Sequence, residues 1–350
     1  MVFKMADNSK YCFIFILVEL LAYSYCHRRF EVLWNVPSEV CQIKWGVKLP
    51  LANFNIGFNR NQSFTGNIIT LFYEPNPGLY PRYLPNGYAE NGGLPQMVNY
   101  SAHEMKEKWD IIKMIPDNEF NGSAVIDWES WVPIFDRNEY SHEQKIYIKM
   151  SEQIVAKSHP EWNGTRVKNE ARKQFDASAR EFMVKTIKLA KLLRPNGHWG
   201  YYGFPKCYNF RIGQKDCSSD TMEYNNKLCW MFSTTSALFP SIYLKESFGN
   251  VEARLTQVQG IIQETKRIKN RCALPSTPIN AYSRYRYSDT ERFYIKEDLL
   301  NTILQSYKDG LDGVILWDSY ENFINRTDCI NLQMYLITVL GPVVKNISPR

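Results

Sequence analysis

The sequence predicts an α/β fold, a TIM-like, distorted (β/α)7 barrel that forms a single domain. Short β-rich runs alternate with helical stretches along the chain, which is the pattern of a parallel sheet with crossover helices. The 350 residues fit one barrel of this kind, and no Ser/Gly-rich linker or internal repeat divides them. A hydrophobic content of 44% is enough to close a core, which excludes a disordered chain.

Seven short runs rich in β-branched and aromatic residues are the predicted strands. They lie at 30–36, 67–72, 124–128, 199–204, 238–244, 279–285 and 313–317. Helices are predicted between them, at 141–158, 171–193, 251–269, 296–307 and 331–340. The helix at 171–193 has the clearest pattern, because Phe175, Ala179 and Phe182 recur at helical spacing and Pro195 ends the run.

Residues 1–24 have the pattern of a secretory signal peptide. Lysines precede an apolar run at 11–18, and Ser24 completes a small-residue cleavage site that leaves Tyr25 as the first mature residue. An uncleaved anchor is the alternative, although the run is short for a membrane span. We therefore expect a secreted, extracellular protein whose barrel domain occupies residues 25–350.

Six N-x-S/T sequons support export, because asparagine glycosylation takes place in the secretory pathway. An oxidising compartment also permits disulfides, but eight cysteines in 350 residues are too dilute for a small disulfide scaffold, and their spacing alone leaves the pairing open. The predicted glycosylation sites are Asn61, Asn99, Asn121, Asn163, Asn325 and Asn346.

The sequence lacks the motifs of several common classes of enzyme. The chain has no H-E-x-x-H, C-x-x-C, G-x-S-x-G or phosphate-binding glycine motif, and its five histidines are scattered. We therefore expect no metal, no cofactor and no nucleic-acid partner. A net charge of +6, from 42 basic and 36 acidic residues, permits a polyanionic partner without demonstrating one.

The sharpest local feature is a pair of carboxylates, Asp127 and Glu129, at the end of the apolar run 124–128. Side chains two residues apart on a strand point to the same side, about 6.6 Å apart along it. Because two acids so close cannot both ionise freely, one pKa should rise and one acid should keep its proton near neutrality. A retained proton is what a general acid needs in glycoside hydrolysis.

Two adjacent carboxylates without a separate nucleophile fit one particular route. In that route the N-acetyl carbonyl of the substrate attacks the anomeric carbon, and the enzyme supplies an acid/base and a group that stabilises the amide. Glu129 would protonate the leaving oxygen, and Asp127 would hold the acetamido nitrogen. Tyrosines are the usual further donors to the acetamido group.

An ordered set of motifs over nearly the whole mature chain resembles the hyaluronidase family, in its insect venom and salivary type. The most specific string is V-I-D-W-E-S-W at 125–131, which contains the carboxylate pair. The other matching strings lie at 32–37, 91–96, 159–162, 199–205, 238–244 and 313–317.

The resemblance implies a secreted endo-β-N-acetylhexosaminidase that cleaves β-1,4 bonds of hyaluronan with retention, as a spreading factor in venom or saliva. Chondroitin is the alternative polymer. The implied protein is a monomer without a cofactor or a membrane partner. The implied catalytic residues are Glu129, Asp127, Tyr202 and Tyr243, and the implied substrate-binding residues are Tyr73, Trp317 and Ser319.

The resemblance also implies two disulfides, Cys41–Cys329 and Cys207–Cys217. Cys229 and Cys272 have no partner in this scheme, so they are either free thiols or a bond peculiar to this chain.

Two positions depart from the family pattern, because Val132 and Ile261 stand where arginines are expected. Lost cations should weaken the binding of substrate carboxylates, which leaves a catalytically weak hyaluronan-binding homologue as an alternative function. The residues that could replace the missing charges from nearby loops are Arg82, Lys206, Arg284 and Arg286.

Overall fold

Parallel strands alternate with helices throughout a computed structural model, which describes residues 30–139 and 141–347. Two parallel sheets run in the orders β2-β1-β9-β8 and β3-β6-β7, and a small antiparallel pair, β4 and β5, lies outside them. The strands are β1 (Glu31–Asn35), β2 (Ile56–Phe58), β3 (Ile69–Tyr73), β4 (Arg82–Tyr83), β5 (Ala89–Glu90), β6 (Ser123–Asp127), β7 (His198–Tyr201), β8 (Asn280–Ser283) and β9 (Gly313–Trp317).

The segment at 238–242 joins the two sheets between β7 and β8. It forms isolated bridges, from Phe239 to Tyr202 on one side and from Leu238 to Ile279 on the other. A continuous strand was predicted at 238–244, but Pro240 has no N–H to donate to a ladder. Six predicted strands are therefore confirmed as ladders, and the seventh follows the sheet through single bridges.

β2 was not predicted, because three residues are too short to show an alternating pattern. It pairs with β1 but forms no ladder with β3 in the described part of the chain. The side chain of Asn59, which is 1% exposed, lies in this seam. Its Nδ2 donates to the Ile69 carbonyl at 2.7 Å, and its Oδ1 accepts from the Ile68 and Ile69 amides at 3.0 and 3.1 Å. One amide side chain thus replaces the missing ladder.

Two hydrophobic layers position the site. The inner layer fills the barrel with residues from successive strands, including Leu33, Leu71, Val125 and Ile315. The outer layer lies between strands and helices, and it is the larger of the two. Because side chains alternate along each strand, the strands supply one residue to the barrel interior and the next to the helical layer.

The helices cover the strands from outside. All five predicted helices are present, but the clearest one begins at Gly164 rather than 171, because the Asn163 side chain caps it by accepting from the Arg166 amide at 2.9 Å. A helix at Tyr100–Met114 was not predicted. The helical segments are Glu39–Ile43, Tyr100–Met114, Lys145–Ser158, Gly164–Leu193, Ser219–Lys227, Cys229–Phe232, Val251–Cys272, Lys296–Leu299, Leu300–Leu304, Gln305–Lys308, Arg326–Tyr335, Leu336–Leu340 and Gly341–Ile347; short 3-10 turns occur at Leu51–Phe54, Arg60–Gln62, Pro95–Met97, Phe135–Glu139 and Tyr320–Phe323.

The last helix, Arg326–Ile347, is long and apolar enough to span a membrane by length and composition, and within the described residues it alone meets that test. In this fold it is a packed element: the Tyr335 hydroxyl donates to the Tyr294 carbonyl at 2.8 Å, and Gly341 lies against the Phe54 ring. Its apolar residues are therefore explained by packing against the barrel. The signal predicted at 1–24 lies outside the described residues.

The structure contains the two disulfides that the resemblance implied. Cys41–Cys329 spans 288 residues and Cys207–Cys217 spans 10. The other two cysteines of residues 30–347, Cys229 and Cys272, form a third disulfide, so the alternative of two free thiols is wrong.

We predict that Asn59→Ala destabilises the protein strongly. The substitution removes the partner of the buried Ile69 amide and of the part-buried Ile68 amide, and an unsatisfied buried amide costs about 1–3 kcal/mol. Urea unfolding at constant pH measures the loss. Ser63→Ala is the matched control, because that hydroxyl bonds only carbonyls of its own loop. An equal, small effect of both substitutions would show that the seam does not depend on Asn59.

Candidate active site

The predicted carboxylate pair lies at the carboxyl end of β6, where the active sites of α/β barrels are built. Asp127 ends the strand beside Tyr73 of β3 and is half-buried, whereas Glu129 is exposed. Between them, Trp128 turns into the helical layer, stacks on Tyr80 at 4.8 Å, and donates from Nε1 to the Asn76 carbonyl at 3.0 Å. The anchored indole therefore fixes the backbone from which both acids project.

Glu74 also holds the backbone around Glu129, and sequence reasoning missed it. Its Oε1 accepts from the Ser130 amide at 2.8 Å, the Ser130 hydroxyl at 2.5 Å and the Glu129 amide at 3.3 Å. Its other oxygen is paired with Arg82. The only signal in the sequence is that Glu74 lies two residues after a predicted strand, since the backbone that it holds is more than 50 residues away.

Burial and a neighbouring charge change the protonation of Asp127. Desolvation, assisted by the negative charge of Glu129, raises the pKa of Asp127 to about 8. This is the raised pKa that the sequence predicted for one member of the pair. The Oδ1 atom of Asp127 is buried and has no hydrogen-bond partner among the described residues. A ligand that carries an N–H group could satisfy it.

Aromatic side chains form a row across the barrel mouth, and it contains four of the predicted site residues. The Tyr202 and Tyr243 rings lie 6.1 Å apart, and Tyr243 stacks on Trp317 at 6.1 Å with an interplanar angle of 16°. Trp317 Nε1 donates to the Tyr73 hydroxyl at 3.0 Å. The row therefore runs from β7 to β3 across the centre of the barrel. Such a surface suits the apolar faces of sugar rings.

The tyrosine hydroxyls of this row keep their protons. Burial raises the pKa of Tyr202 and Tyr243 far above the ordinary range, and it raises the pKa of Tyr73 to about 12. The Tyr202 hydroxyl donates to Ser241 Oγ at 3.2 Å. These phenols can therefore donate hydrogen bonds to a neutral ligand at any physiological pH.

Two further side chains support the row from below and were not predicted. The Tyr282 ring meets Tyr202 edge-on at 5.1 Å, and its hydroxyl donates to Asn35 Oδ1 at 3.1 Å.

Ser319, which was predicted to bind substrate, lies two residues beyond Trp317. The Ser319 hydroxyl accepts from the Glu321 amide at 3.3 Å, so Ser319 caps a short 3-10 turn.

The positions that lack the expected arginines carry no charge of their own. Val132 is half-buried beside Asn138, whose side chain bonds both its amide and its carbonyl at 3.0 Å. Ile261 lies in the helix Val251–Cys272 and packs in the outer core.

Three of the four basic residues expected to compensate are already paired. Arg82 binds Glu74 and Glu90. Both Arg284 and Arg286 bind Asp318, at 2.8 and 3.2 Å, and Arg284 also binds Glu291 at 2.5 Å. Lys206 is the exception.

We predict that Asp127→Asn reduces the loss of stability as pH rises. Between the ordinary aspartate pKa of 3.8 and about 8, the folded chain holds a proton that the unfolded chain has released, so wild-type stability falls with pH. Urea unfolding at pH 5 and pH 8, about the limits of that range, measures this slope.

Glu107→Gln is the matched control. Glu107 is a fully buried acid outside the barrel mouth, and burial raises its pKa to about 9. Glu107 therefore also makes the free energy of unfolding fall as pH rises. Each single substitution should flatten the slope and the double substitution should flatten it further. An Asp127→Asn slope equal to that of wild type would contradict the assignment of the retained proton.

Comparison with known proteins identifies the family. A family model described as hyaluronidase matches residues 22–350. The chain is 37% identical over 344 residues to a hyaluronidase of Polistes annularis, which covers 94% of this chain and 92% of the relative. It is 34% identical over 328 residues to Hyaluronidase-1 of Homo sapiens, covering 92% of this chain and 74% of the relative.

Solved structures agree with this assignment. Bee venom hyaluronidase superimposes with a TM-score of 0.82 at 34% identity, covering 91% of this chain and 100% of that one. The same enzyme in complex with a hyaluronic acid tetramer gives a TM-score of 0.84 at 35% identity, covering 91% and 99%. The barrel prediction is therefore confirmed, and the chain belongs to the hyaluronidase family of glycoside hydrolases.

Proposed function

We propose that the protein hydrolyses the β-1,4 bonds of hyaluronan within the polymer, by acetamido-assisted catalysis with retention of configuration. The observation that carries this proposal is the buried, unpartnered Oδ1 of Asp127 beside the exposed carboxyl of Glu129, under a row of tyrosine hydroxyls. An acetamido N–H is a suitable partner for that oxygen. The bee venom relative bound to a hyaluronic acid tetramer supports the choice of polymer.

In the first step the acetamido oxygen of the substrate attacks its own anomeric carbon. The bond to the leaving sugar breaks, and Glu129 donates a proton to the departing oxygen. A cyclic oxazolinium forms, whose positive charge lies partly on the nitrogen. Asp127 accepts a hydrogen bond from the N–H of that nitrogen and stabilises the positive charge, while Tyr202 and Tyr243 orient the acetamido group.

The raised pKa of Asp127 fits this step. Near neutrality Asp127 keeps its proton in the free protein, because burial and the charge of Glu129 make its anion unfavourable. A bound acetamido N–H gives that anion a partner and lowers the pKa of Asp127. The proton that Asp127 releases can pass to Glu129, which then donates it to the leaving oxygen.

In the second step water attacks the anomeric carbon from the face that the first sugar left. Glu129, now ionised, accepts the proton of this water, and the ring opens to restore the acetamido group. Two displacements at one carbon give net retention. Tyr73 and Trp317, which are hydrogen-bonded at the ends of β3 and β9, and Ser319, two residues beyond Trp317, would bind the neighbouring sugars.

The extracellular setting belongs to the same proposal. Residues 1–24 act as a cleaved signal, residues 25–350 form one monomeric domain, and the secreted enzyme serves as a spreading factor in venom or saliva. Three disulfides suit an oxidising compartment. All six sequon asparagines, among them Asn99, are exposed in the folded chain, which permits a glycan at each.

We predict that Glu129→Gln lowers kcat on hyaluronan by about 10³-fold, because the amide cannot donate the proton that the leaving oxygen requires. Asp127→Asn should also lower kcat strongly. Release of reducing ends from purified hyaluronan measures the rate. Glu181→Gln, at an exposed position on the outer helix Gly164–Leu193, is the matched control and should retain the wild-type rate.

Parallel assays on chondroitin test the choice of polymer. Faster turnover of chondroitin than of hyaluronan would move the substrate to the alternative polymer. If wild type and Glu129→Gln both bind hyaluronan and neither cleaves it, the protein is the catalytically weak hyaluronan-binding homologue instead.

A further inference from the structure

The side chain of Lys206 is folded back over the end of β7. Its Nζ would lie 2.8 Å from a Cβ atom placed on Gly203, which has a φ of +75° and follows Tyr202 directly. It also lies 5.0 Å from the centroid of the Phe204 ring. This arrangement brings the ammonium beside the strand end that carries Tyr202 and neighbours Asp127.

The backbone of Lys206 is held rigidly. The Asn225 side chain accepts from its amide at 3.2 Å and donates to its carbonyl at 2.7 Å. The next residue, Cys207, is joined to Cys217. The ammonium is therefore carried by a fixed segment, which reduces the entropy lost when a ligand binds to it.

The charge of Lys206 acts on Glu129 and Asp127 through space, without a direct ion pair. Burial lowers the pKa of Lys206, and the negative charges of Glu129 and Asp127 act in the opposite direction. No ion pair joins Lys206 to any carboxylate in the described residues, unlike Arg82, Arg284 and Arg286. Its effect on Asp127 is smaller than the effects of burial and Glu129, so protonation of the carboxyl pair does not depend mainly on Lys206.

We propose that the Lys206 ammonium binds the carboxylate of a uronate residue adjacent to the N-acetylhexosamine at Asp127 and Glu129. This rests on the proposed function, in which the substrate alternates the two sugars. A uronate therefore always flanks the cleaved N-acetylhexosamine. Among the described residues Lys206 is the expected cation that has no carboxylate of its own, and its Nζ lies beside Gly203, at the catalytic end of β7.

The inference explains how a chain with Val132 and Ile261 can still recognise a polyanion. A lysine after the aromatic strand end supplies the charge that these apolar residues lack. A compact ammonium on a long stem binds a carboxylate as a point charge, so it fixes the position of the uronate less strictly than a bidentate arginine would.

Binding measurements in the Glu129→Gln background test the inference without requiring turnover. The ligands are a hyaluronan hexasaccharide and the same hexasaccharide with its carboxylates converted to methyl esters, titrated by calorimetry. Adding Lys206→Met should raise the Kd for the acidic hexasaccharide about 10-fold, the equivalent of one charge-assisted hydrogen bond. The Kd for the ester should change less than about threefold. Lys206→Arg should restore most of the lost affinity.

Lys188→Met is the charge-matched control, because Lys188 is exposed on the outer helix and the substitution should leave both dissociation constants unchanged. An equal loss of affinity for acid and ester would show that Lys206 only shapes the site, and no loss for either would also overturn the inference. Unfolding midpoints equal to that of the parent exclude a folding defect. If wild type fails to cleave hyaluronan while the selective loss of binding is observed, the proposed hydrolysis fails and the recognition role of Lys206 stands.

Discussion

A carboxyl group buried at a strand end, with one oxygen unsatisfied, is the constraint on which the rest of the site depends. Such a group is unfavourable as an anion, so the surrounding structure must hold it in place and allow it a proton. Asp127 is held because β6 lies between β3 and β7, and because the Trp128 indole is locked into the helical layer. Without this support the segment could relax and carry the carboxyl out to water.

The remaining charges around the barrel mouth are arranged so that few are free. Glu74 is neutralised by Arg82 while it holds the Glu129 backbone, and Asp318 is neutralised by Arg284 and a second arginine. Among the described residues, the carboxyl pair and the Lys206 ammonium have no salt-bridge partner. A sugar polymer that alternates an amide with a carboxylate offers an N–H for the buried oxygen of Asp127 and, in our proposal, an anion for the ammonium.

Local sequence patterns predicted the strands and helices, but they did not predict contacts between segments that are distant in sequence. The placement of Asp127 at a strand end follows from the apolar run that precedes it, whereas Glu129 lies two residues beyond the strand. The tyrosines and the first two disulfides followed from the family resemblance. Glu74 and Asn59 were missed because each acts on backbone atoms of another segment, which leaves no periodic trace. The pairing of the arginines was likewise invisible, since it depends on loops that meet only in the folded barrel.

The bond between Cys41 and Cys329 repeats in covalent form a contact that the sheet already makes, because β1 and β9 are hydrogen-bonded neighbours. The two cysteines enclose most of the chain within a closed ring. A protease that cuts any exposed loop inside this ring opens the ring but releases no fragment, because both pieces stay attached through the sulfur atoms. A singly nicked molecule can thus keep all its strands together.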